Sequence, residues 1–362
     1  MAEKSNPCCG SVPAEQSCGC GTAPVSTPKH LTSELTSADR RGFVACRISN
    51  RFRMQYTVDP GLYALGNPDD AAPVIVTANY CLTLSHLRKE LAGRSAWILV
   101  LDTKGINVWC AAGKGTFGTN ELVNRIEAVH LCEVVKHRTL ILPQLGAPGV
   151  AAHEVKKATG FSVNYGPILA RDLPAYLDNG QKATTPMRTV TFPVWDRLIL
   201  TPMEIIPALK KFFWVILGCW IIMGVQPAGI LFKPALLHSW PIIAAGLLAM
   251  ICGTIITPVL LPIIPFRSFA AKGAIIGIVI IVPSILLVDR YFSSSISLVA
   301  ATALFFVAVS SYLALNFTGC TPFTGISGVK KEMKVAVPAY LIACSISGLL
   351  LIFYKLHEWS IL

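Results

Sequence analysis

The most restrictive feature of this chain is the uneven distribution of its charges. Of 51 charged residues, 40 lie in residues 1–211 and only 11 in residues 212–362. The charge-poor part contains five apolar stretches, and each is close to the ~20 residues that a helix needs to cross a bilayer. They run over residues 212–232, 241–264, 269–288, 296–317 and 335–354. The sequence therefore predicts an all-α transmembrane domain of five helices over residues 206–362.

Basic residues beside these stretches predict their orientation. The flanking segments richest in Lys and Arg are the first, third and fifth, with Lys210–Lys211, then Arg267 and Lys272, then Lys330, Lys331 and Lys334. Because basic loops stay in the cytoplasm, the chain is expected to be a multi-pass protein of the cytoplasmic (inner) membrane. Residues before the first span are then cytoplasmic and the C-terminus is periplasmic. No basic run with interleaved aromatics occurs, which argues against a nucleic-acid partner.

Residues 1–36 are predicted to be a disordered, cysteine-containing tail, because they are polar and rich in Ser, Thr, Pro and Gly. Two close thiol pairs, Cys8–Cys9 and Cys18–Cys20, leave two interpretations: capture of a soft metal ion, or incidental cysteines in an unstructured segment. Residues 1–25 have no apolar core of a signal peptide. The following domain is therefore expected in the reducing cytoplasm, with its cysteines as thiols.

Residues 37–205 alternate between short apolar runs and amphipathic stretches. Strands are predicted over residues 74–77, 96–102, 139–142, 161–164 and, closing the sheet, 198–200; helices are predicted over 84–91, 122–135, 151–158 and 173–177. This alternation predicts an α/β, Rossmann-like domain with a parallel sheet and helices on both faces. Ligands bind such sheets beyond the carboxyl ends of the strands, which selects the loops that follow them.

One of these loops leads into the octapeptide Asn107–Lys114, which reads Asn-Val-Trp-Cys-Ala-Ala-Gly-Lys. Asn107 is a favourable N-cap, so Cys110 is expected in the first turn of a helix. The helix dipole and Lys114, one turn further on, are expected to favour the thiolate of Cys110. Residue chemistry alone leaves three roles open for Cys110: a buried structural cysteine, a catalytic nucleophile, or a thiolate ligand of a soft metal.

A nucleotide-binding loop is not the better interpretation of the nearby glycines. Gly113, Gly115 and Gly118 formally spell G-x-G-x-x-G. A dinucleotide fingerprint opens its helix, whereas these glycines come after Cys110, inside the predicted helix or beyond it.

The octapeptide resembles the cap-helix signature of the mercury-methylating corrinoid proteins, and every position fits that signature. The resemblance extends through residues 115–119, 144–150 and 165–167, segments that also resemble the corrinoid iron–sulfur methyl carrier of the acetyl-CoA pathway. It covers residues 40–205 by motif and the remainder by architecture. The D-x-H-x-x-G motif of histidine-ligated cobalamin modules is absent, which fits a cysteine-ligated corrinoid.

The resemblance implies a corrinoid cofactor, a cobalamin-type cobamide, with Cys110 as catalytic residue and lower axial ligand of cobalt. It implies a cofactor-binding set drawn from the loops after the strands. That set is Thr77, Asn107, Val108, Trp109, Cys110, Ala111, Ala112, Gly113, Lys114, Gln144, Gly146, Ala147, Gly149, Val150, Tyr165 and Gly166.

The implied activity is corrinoid-dependent methyl transfer to inorganic Hg(II), giving methylmercury. The resemblance implies two protein partners: a ferredoxin-like protein with four-iron four-sulfur clusters that re-reduces cobalt, and a folate-linked methyltransferase as methyl donor. One alternative is a methyl carrier of one-carbon metabolism without mercury activity, disfavoured here because no iron–sulfur module is recognised before the α/β domain. Another is a metal transporter with a regulatory domain, disfavoured because no carboxylate or arginine lies inside a predicted span.

Overall fold

The structure is a computed structural model that describes residues 28–227, 229–288 and 295–361. The two thiol pairs predicted in the tail lie outside the described residues. The chain divides into two compact units, with the boundary between Val190 and Thr191. The sequence placed the start of the second domain somewhat later, at residue 206.

The first unit is built on a six-stranded sheet with the order β1-β2-β4-β3-β5-β6. Strands β3 to β6 are parallel, while β2 is antiparallel to β4 and parallel to β1. The predicted α/β architecture is therefore confirmed as a mostly parallel sheet. In chain order the elements are β1 (Lys29–Leu31), α1 (Ser37–Ile48), α2 (Asn50–Gln55), β2 (Gly61–Leu65), β3 (Val74–Ala78), α3 (Cys81–Glu90), β4 (Ala96–Leu101), α4 (Val108–Lys114), α5 (Thr119–Ala128), α6 (Leu131–Val134), β5 (Thr139–Leu142), α7 (Ala152–Thr159), β6 (Ser162–Tyr165) and α8 (Leu173–Asp178).

Helices cover both faces of this sheet, because the inner strands are apolar on both sides. Along β4, Leu99 and Leu101 pack in a core with α4 to α7, while Ile98 and Val100 pack in a second core with α1, α3 and α8. Alternate residues of a strand point to opposite faces, so a continuous apolar run serves two cores. Helix α4 thus lies on one defined face of the sheet.

The segment just before α1 is ordered, although the sequence assigned it to a disordered tail. Lys29–Leu31 forms β1, and buried Arg88 of α3 fixes the residues that follow. Its guanidinium donates to the carbonyl oxygens of Thr32 (2.7 Å) and Glu34 (2.8 Å) and pairs with the Asp39 carboxylate at 2.6 Å. A buried charge needs such partners, so this ion pair ties the segment to the sheet.

Two further expectations for the α/β region are wrong. Residues 198–200 do not close the sheet, because Leu198 ends a short helix of the second unit and residues 199–200 form a turn after it. There the Arg197 guanidinium donates to the carbonyl oxygens of Pro258 (3.0 Å) and Val259 (2.5 Å). The expectation of thiols throughout also fails, since Cys81 is disulfide-bonded.

The second unit contains, among the described residues, five helices long and apolar enough to cross a membrane. The number agrees with the sequence, and the lengths are compatible with membrane insertion. The candidate spans are Val194–Gly224, Ala235–Leu260, Phe269–Leu287, Ile296–Gly319 and Ser327–Glu358. The elements are α9 (Val194–Leu198), α10 (Pro202–Gly224), β7 (Val225–Gln226), β8 (Gly229–Ile230), α11 (Phe232–Ile251), a π-helical turn (Cys252–Ile256), α12 (Thr257–Leu260), α13 (Phe269–Leu287), α14 (Ile296–Asn316) and α15 (Ile326–Glu358).

The helix boundaries differ from the predicted ones at basic residues. Lys210 and Lys211 lie inside α10, and Lys330 to Lys334 lie inside α15. Lysine is a good helix former, so a change from apolar to basic sequence does not end a helix. At the other end, the predicted span 212–232 stops at Gly224, where the β7–β8 hairpin begins.

Five spans with basic residues at alternate ends predict termini on opposite sides of the membrane. A reporter fused after Leu362 is expected to be active as alkaline phosphatase and non-fluorescent as a green fluorescent protein, because only the periplasm supports the former. The same reporters fused before Met1 should give the reverse pattern and serve as the control. A cytoplasmic C-terminus would require an even number of spans and would contradict the predicted topology.

Candidate functional site

The loop between β4 and α4 is held by one buried amide. The side chain of Asn79, just after β3, is 6% exposed. Its Oδ1 accepts hydrogen bonds from the backbone N–H groups of Thr103 and Gly105, both at 3.0 Å. Asn79 therefore determines where the loop runs and where α4 can begin.

Helix α4 begins as the sequence predicts. Asn107 is the N-cap, and its Oδ1 accepts a hydrogen bond of 3.0 Å from the backbone N–H of Cys110. Cys110 is half-buried in the first turn. Val108, Ala111 and Ala112 point into the core against the sheet, so these three members of the predicted cofactor-binding set support the helix from beneath.

The protonation of Cys110 differs from the sequence expectation. Burial raises the pKa of the Cys110 thiol, and the nearby charges of Lys114 and Arg53 and the hydrogen bond with Asn107 offset only part of that rise. The direction of this pKa shift is therefore opposite to the expected one, because desolvation disfavours the anion more than these groups favour it. A metal ion that binds the sulfur displaces the proton.

Arg53 is a site residue that no sequence motif indicates. It lies on α2, far from Cys110 in sequence, yet close enough to lower the pKa of the Cys110 thiol. The chain after α2 packs against the loop before α4: a Cβ built on Gly105 would lie 2.6 Å from Cγ2 of Thr57. Tertiary packing, not a motif, brings this second cation to the sulfur.

The loop after β5 packs closely on α4. A Cβ built on Gly149 would lie 2.1 Å from the carbonyl oxygen of Phe117 and 3.1 Å from Cα of Ala112. The backbone N–H of Thr119 donates to the carbonyl oxygen of Gly149 at 3.2 Å, and its hydroxyl accepts from the N–H of Ala151 at 2.9 Å. The helix carrying Cys110 and the loop 143–151 are thus fixed to each other.

Side chains near the end of β6 complete this edge of the sheet. The Tyr165 hydroxyl donates to the carbonyl oxygen of Val150 at 2.6 Å. The Arg188 guanidinium donates to Oε1 of Gln144 at 2.5 Å and to the carbonyl oxygen of Tyr165 at 3.4 Å. Arg188, which no sequence motif indicates, therefore holds two predicted site residues together.

The structure divides the predicted cofactor-binding set into two groups and leaves one residue outside them. Exposed or half-buried members lie at the carboxyl edge of the sheet: Asn107, Trp109, Cys110, Gly113, Lys114, Gln144, Ala147, Gly149 and Tyr165. Buried members lie beneath them: Val108, Ala111, Ala112, Gly146, Val150 and Gly166. Thr77 joins neither group. It alternates with Val76 and Ala78, which pack on the α4 side, so its side chain is buried on the opposite face.

Gly113 provides a test of whether this surface fits a ligand. It is exposed within α4, and a Cβ built on it would meet no protein atom within 4 Å. Glycine inside a helix costs about 1 kcal/mol relative to alanine, and here no contact within the protein requires it. Its effect is to leave open surface one turn from Cys110, where a flat ligand can approach the helix.

Replacing Gly113 with Ala is expected to leave the protein as stable or slightly more stable, while weakening the binding of a flat cofactor over α4. The added methyl group fills only the open surface. Thermal unfolding measures the first effect and equilibrium titration with a cobamide the second. Ala128→Leu, an exposed change on α5, is the control. Unchanged cobamide affinity in Gly113→Ala would show that the ligand does not lie over this glycine.

The described residues contain no group of three or more His, Cys, Asp or Glu side chains that could hold a metal ion. A single half-buried thiol beside open surface fits instead a metal whose remaining ligands belong to a cofactor. The donor set at Cys110 therefore fits a metal macrocycle.

Comparison with known proteins places this site inside a recognised family segment. Residues 49–177 match the family described as CO dehydrogenase/acetyl-CoA synthase delta subunit. Among similar proteins is the acetyl-CoA decarbonylase/synthase complex subunit gamma of Methanopyrus kandleri, 35% identical over 123 residues, which are 33% of this chain and 26% of that protein. The subunit gamma of Methanothermobacter thermautotrophicus is 34% identical over 128 residues, 35% of this chain and 28% of that protein.

The matched family segment lies within the first unit. The matched family segment runs from α2 to α8 and includes Cys110 and the loops around it. The chain spans only about a quarter of the length of these curated relatives. The distant likeness to a corrinoid methyl carrier, noted from the sequence, is thus supported, and the second unit lies outside the matched family segment.

Proposed function

We propose that this chain is a corrinoid-dependent methyl-transfer protein in which Cys110 is the protein ligand of cobalt. The observation that carries the proposal is the half-buried Cys110 thiol at the start of α4, beside open surface at Gly113 and within the matched family segment. A cobamide, when bound, supplies a cobalt ion able to hold a methyl group between donor and acceptor. Its macrocycle also supplies nitrogen ligands, so one protein sulfur suffices.

The chain's own residues would have distinct tasks in such a site. Asn107 fixes the first turn of α4 and so the direction of the Cys110 sulfur. Lys114 and Arg53 favour the thiolate once the proton has left. The open surface at Gly113 admits a flat ring, and the loop 143–151, held on α4, would line its edge.

The relatives favour methyl transfer in one-carbon metabolism as the setting. Their names describe subunits of acetyl-CoA decarbonylase/synthase complexes, so this chain is proposed to work with protein partners. Such a role requires a methyl donor, for which a folate-linked methyltransferase is proposed. These similarities support a one-carbon methyl carrier more directly than they support mercury methylation.

Methylation of Hg(II) is the second candidate function, and two observations favour it. The octapeptide Asn107–Lys114 fits the cap-helix signature of the mercury-methylating corrinoid proteins at every position. The second unit has five apolar helices, whereas the family segment shared with the acetyl-CoA synthase delta subunits lies in the first unit. In this case the proposed reductant is a ferredoxin-like protein with four-iron four-sulfur clusters.

One assay distinguishes the two candidate functions by the acceptor that receives the methyl group. The full-length protein, loaded with a methylated cobamide, is incubated either with Hg(II) or with CO, coenzyme A and an acetyl-CoA synthase. Methylmercury formed faster than by the same amount of free methylated cobamide would support mercury methylation. Acetyl-CoA that contains the methyl group of the cobamide would support the one-carbon role. Failure to bind any cobamide would contradict the proposed function as a whole.

A further inference from the structure

The second unit contains a large groove beside the start of α13. Its volume is about 1250 Å³, and it is bounded by the α12–α13 connection, the first turns of α13 and the first half of α15. Leu261, Ile264, Phe269, Val335 and Ala339 line its apolar wall. Most of the lining is therefore suited to a hydrocarbon chain.

The groove also carries a buried positive charge. Lys272 lines it and is only 8% exposed, and its ammonium group donates to the carbonyl oxygen of Leu261. An ammonium has three donors and a full charge, and a carbonyl oxygen compensates neither completely. Arg267 and Lys331, both exposed, add two cations to the same groove.

One carboxylate lies among these cations, and it is already engaged. Oε1 of Glu332 accepts hydrogen bonds from the Ser268 hydroxyl at 2.7 Å and from the backbone N–H of Ala270 at 2.6 Å. Glu332 thereby caps the start of α13. With three cations and one anion, the groove carries a net positive charge beside an apolar wall.

We infer that this groove binds an anionic phospholipid, with an acyl chain along the apolar wall and the phosphate beside Lys272, Arg267 and Lys331. Basic pockets between membrane helices at the cytoplasmic side suit anionic headgroups, and the predicted topology puts the start of α13 on that side. The inference rests on the proposed membrane insertion but not on the corrinoid site. A lipid bound here would join α13 to α15.

The charge requirement is tested by native mass spectrometry of the full-length protein in mild detergent, titrated with phosphatidylglycerol or phosphatidylcholine. The double variant Arg267→Gln/Lys331→Gln is expected to bind phosphatidylglycerol about 25-fold more weakly, since each basic residue contributes about fivefold near an anionic headgroup. The matched control Lys210→Gln/Lys211→Gln removes two exposed charges outside the groove and should keep the wild-type affinity. Equal loss in both variants would overturn the inference.

The acyl chain requirement is tested by filling the groove without changing its charge. Ala339→Trp is expected to lower phosphatidylglycerol affinity at least about tenfold, whereas Val337→Trp, on an exposed part of α15 outside the groove lining, should not. Circular dichroism confirms that both variants are folded.

Three other results would overturn the inference. They are equal affinity for phosphatidylcholine, displacement of the lipid by inorganic phosphate at equal concentration, and a dimer of the chain that masks the groove. Carbonate extraction of cell membranes provides a separate check. Release of the protein without detergent would contradict membrane insertion itself, whereas retention without lipid binding would contradict only the lipid site.

Discussion

Replacing Cys110 with Ala is expected to reduce methyl transfer by about 100-fold or more, which corresponds to about 2.7 kcal/mol of barrier. If the proposed function holds, the sulfur is the one protein atom bonded to cobalt, and no other described cysteine is placed to replace it at the start of α4. The variant should still bind some cobamide, because the loops around α4 remain. The sulfur-to-cobalt absorption band should disappear from its spectrum.

Cys132→Ala is the matched control for this variant. Cys132 is an exposed free thiol on α6 of the same unit and belongs to none of the loops of the candidate site. It should leave both spectrum and turnover unchanged. An alanine variant at Cys110 with an unaltered spectrum and normal turnover would end the idea that this sulfur binds cobalt.

Gly149→Ala is expected to cause the largest loss of stability among single changes at the site. The new methyl group would lie 2.1 Å from the carbonyl oxygen of Phe117, so backbone has to move. Overpacking of this kind costs about 3 kcal/mol or more. For a unit of this size the midpoint of thermal unfolding should fall by about 6 to 12 °C. Differential scanning fluorimetry of the detergent-solubilised protein measures the shift.

The comparison variant for Gly149→Ala is Gly113→Ala, which adds the same methyl group to open surface. Its unfolding midpoint should not fall. The two variants then separate two effects. Gly149→Ala displaces α4, whereas Gly113→Ala only obstructs the surface above α4. Equal unfolding midpoints for both variants would show that the loop after β5 shifts at little cost in free energy and does not fix the position of α4.

The sequence predicted those features that local chemistry determines. An asparagine in front of a short helix is recognisable as an N-cap, and it put Cys110 in the first turn, as the structure has it. The predicted strand over residues 139–142 has the observed limits because charged or polar residues precede it and Pro143 follows it. The five apolar helices could be predicted because a run of about 20 apolar residues is typical of a membrane-spanning helix and of few other structures.

Features that depend on tertiary packing were missed. The direction of the Cys110 pKa shift depends on burial, which no octapeptide reveals. Arg53 reaches the site only because α2 folds back against the loop before α4. Thr77 was assigned to the loop after a predicted strand, whereas β3 continues to Ala78 and the Thr77 side chain is buried on the face away from α4. Short strand β2 was overlooked because five mostly apolar residues do not distinguish a strand from a helix.

The buried amide of Asn79 has a consequence for affinity. A loop that became ordered only when a ligand arrived would lose conformational freedom at that moment, and the binding free energy would be reduced by about the cost of immobilising each residue. In this chain the loop from Asp102 to Asn107 is immobilised during folding, by hydrogen bonds to a side chain that no ligand needs to touch. The entropy is lost before binding, so a ligand meeting Cys110 does not have to order this loop.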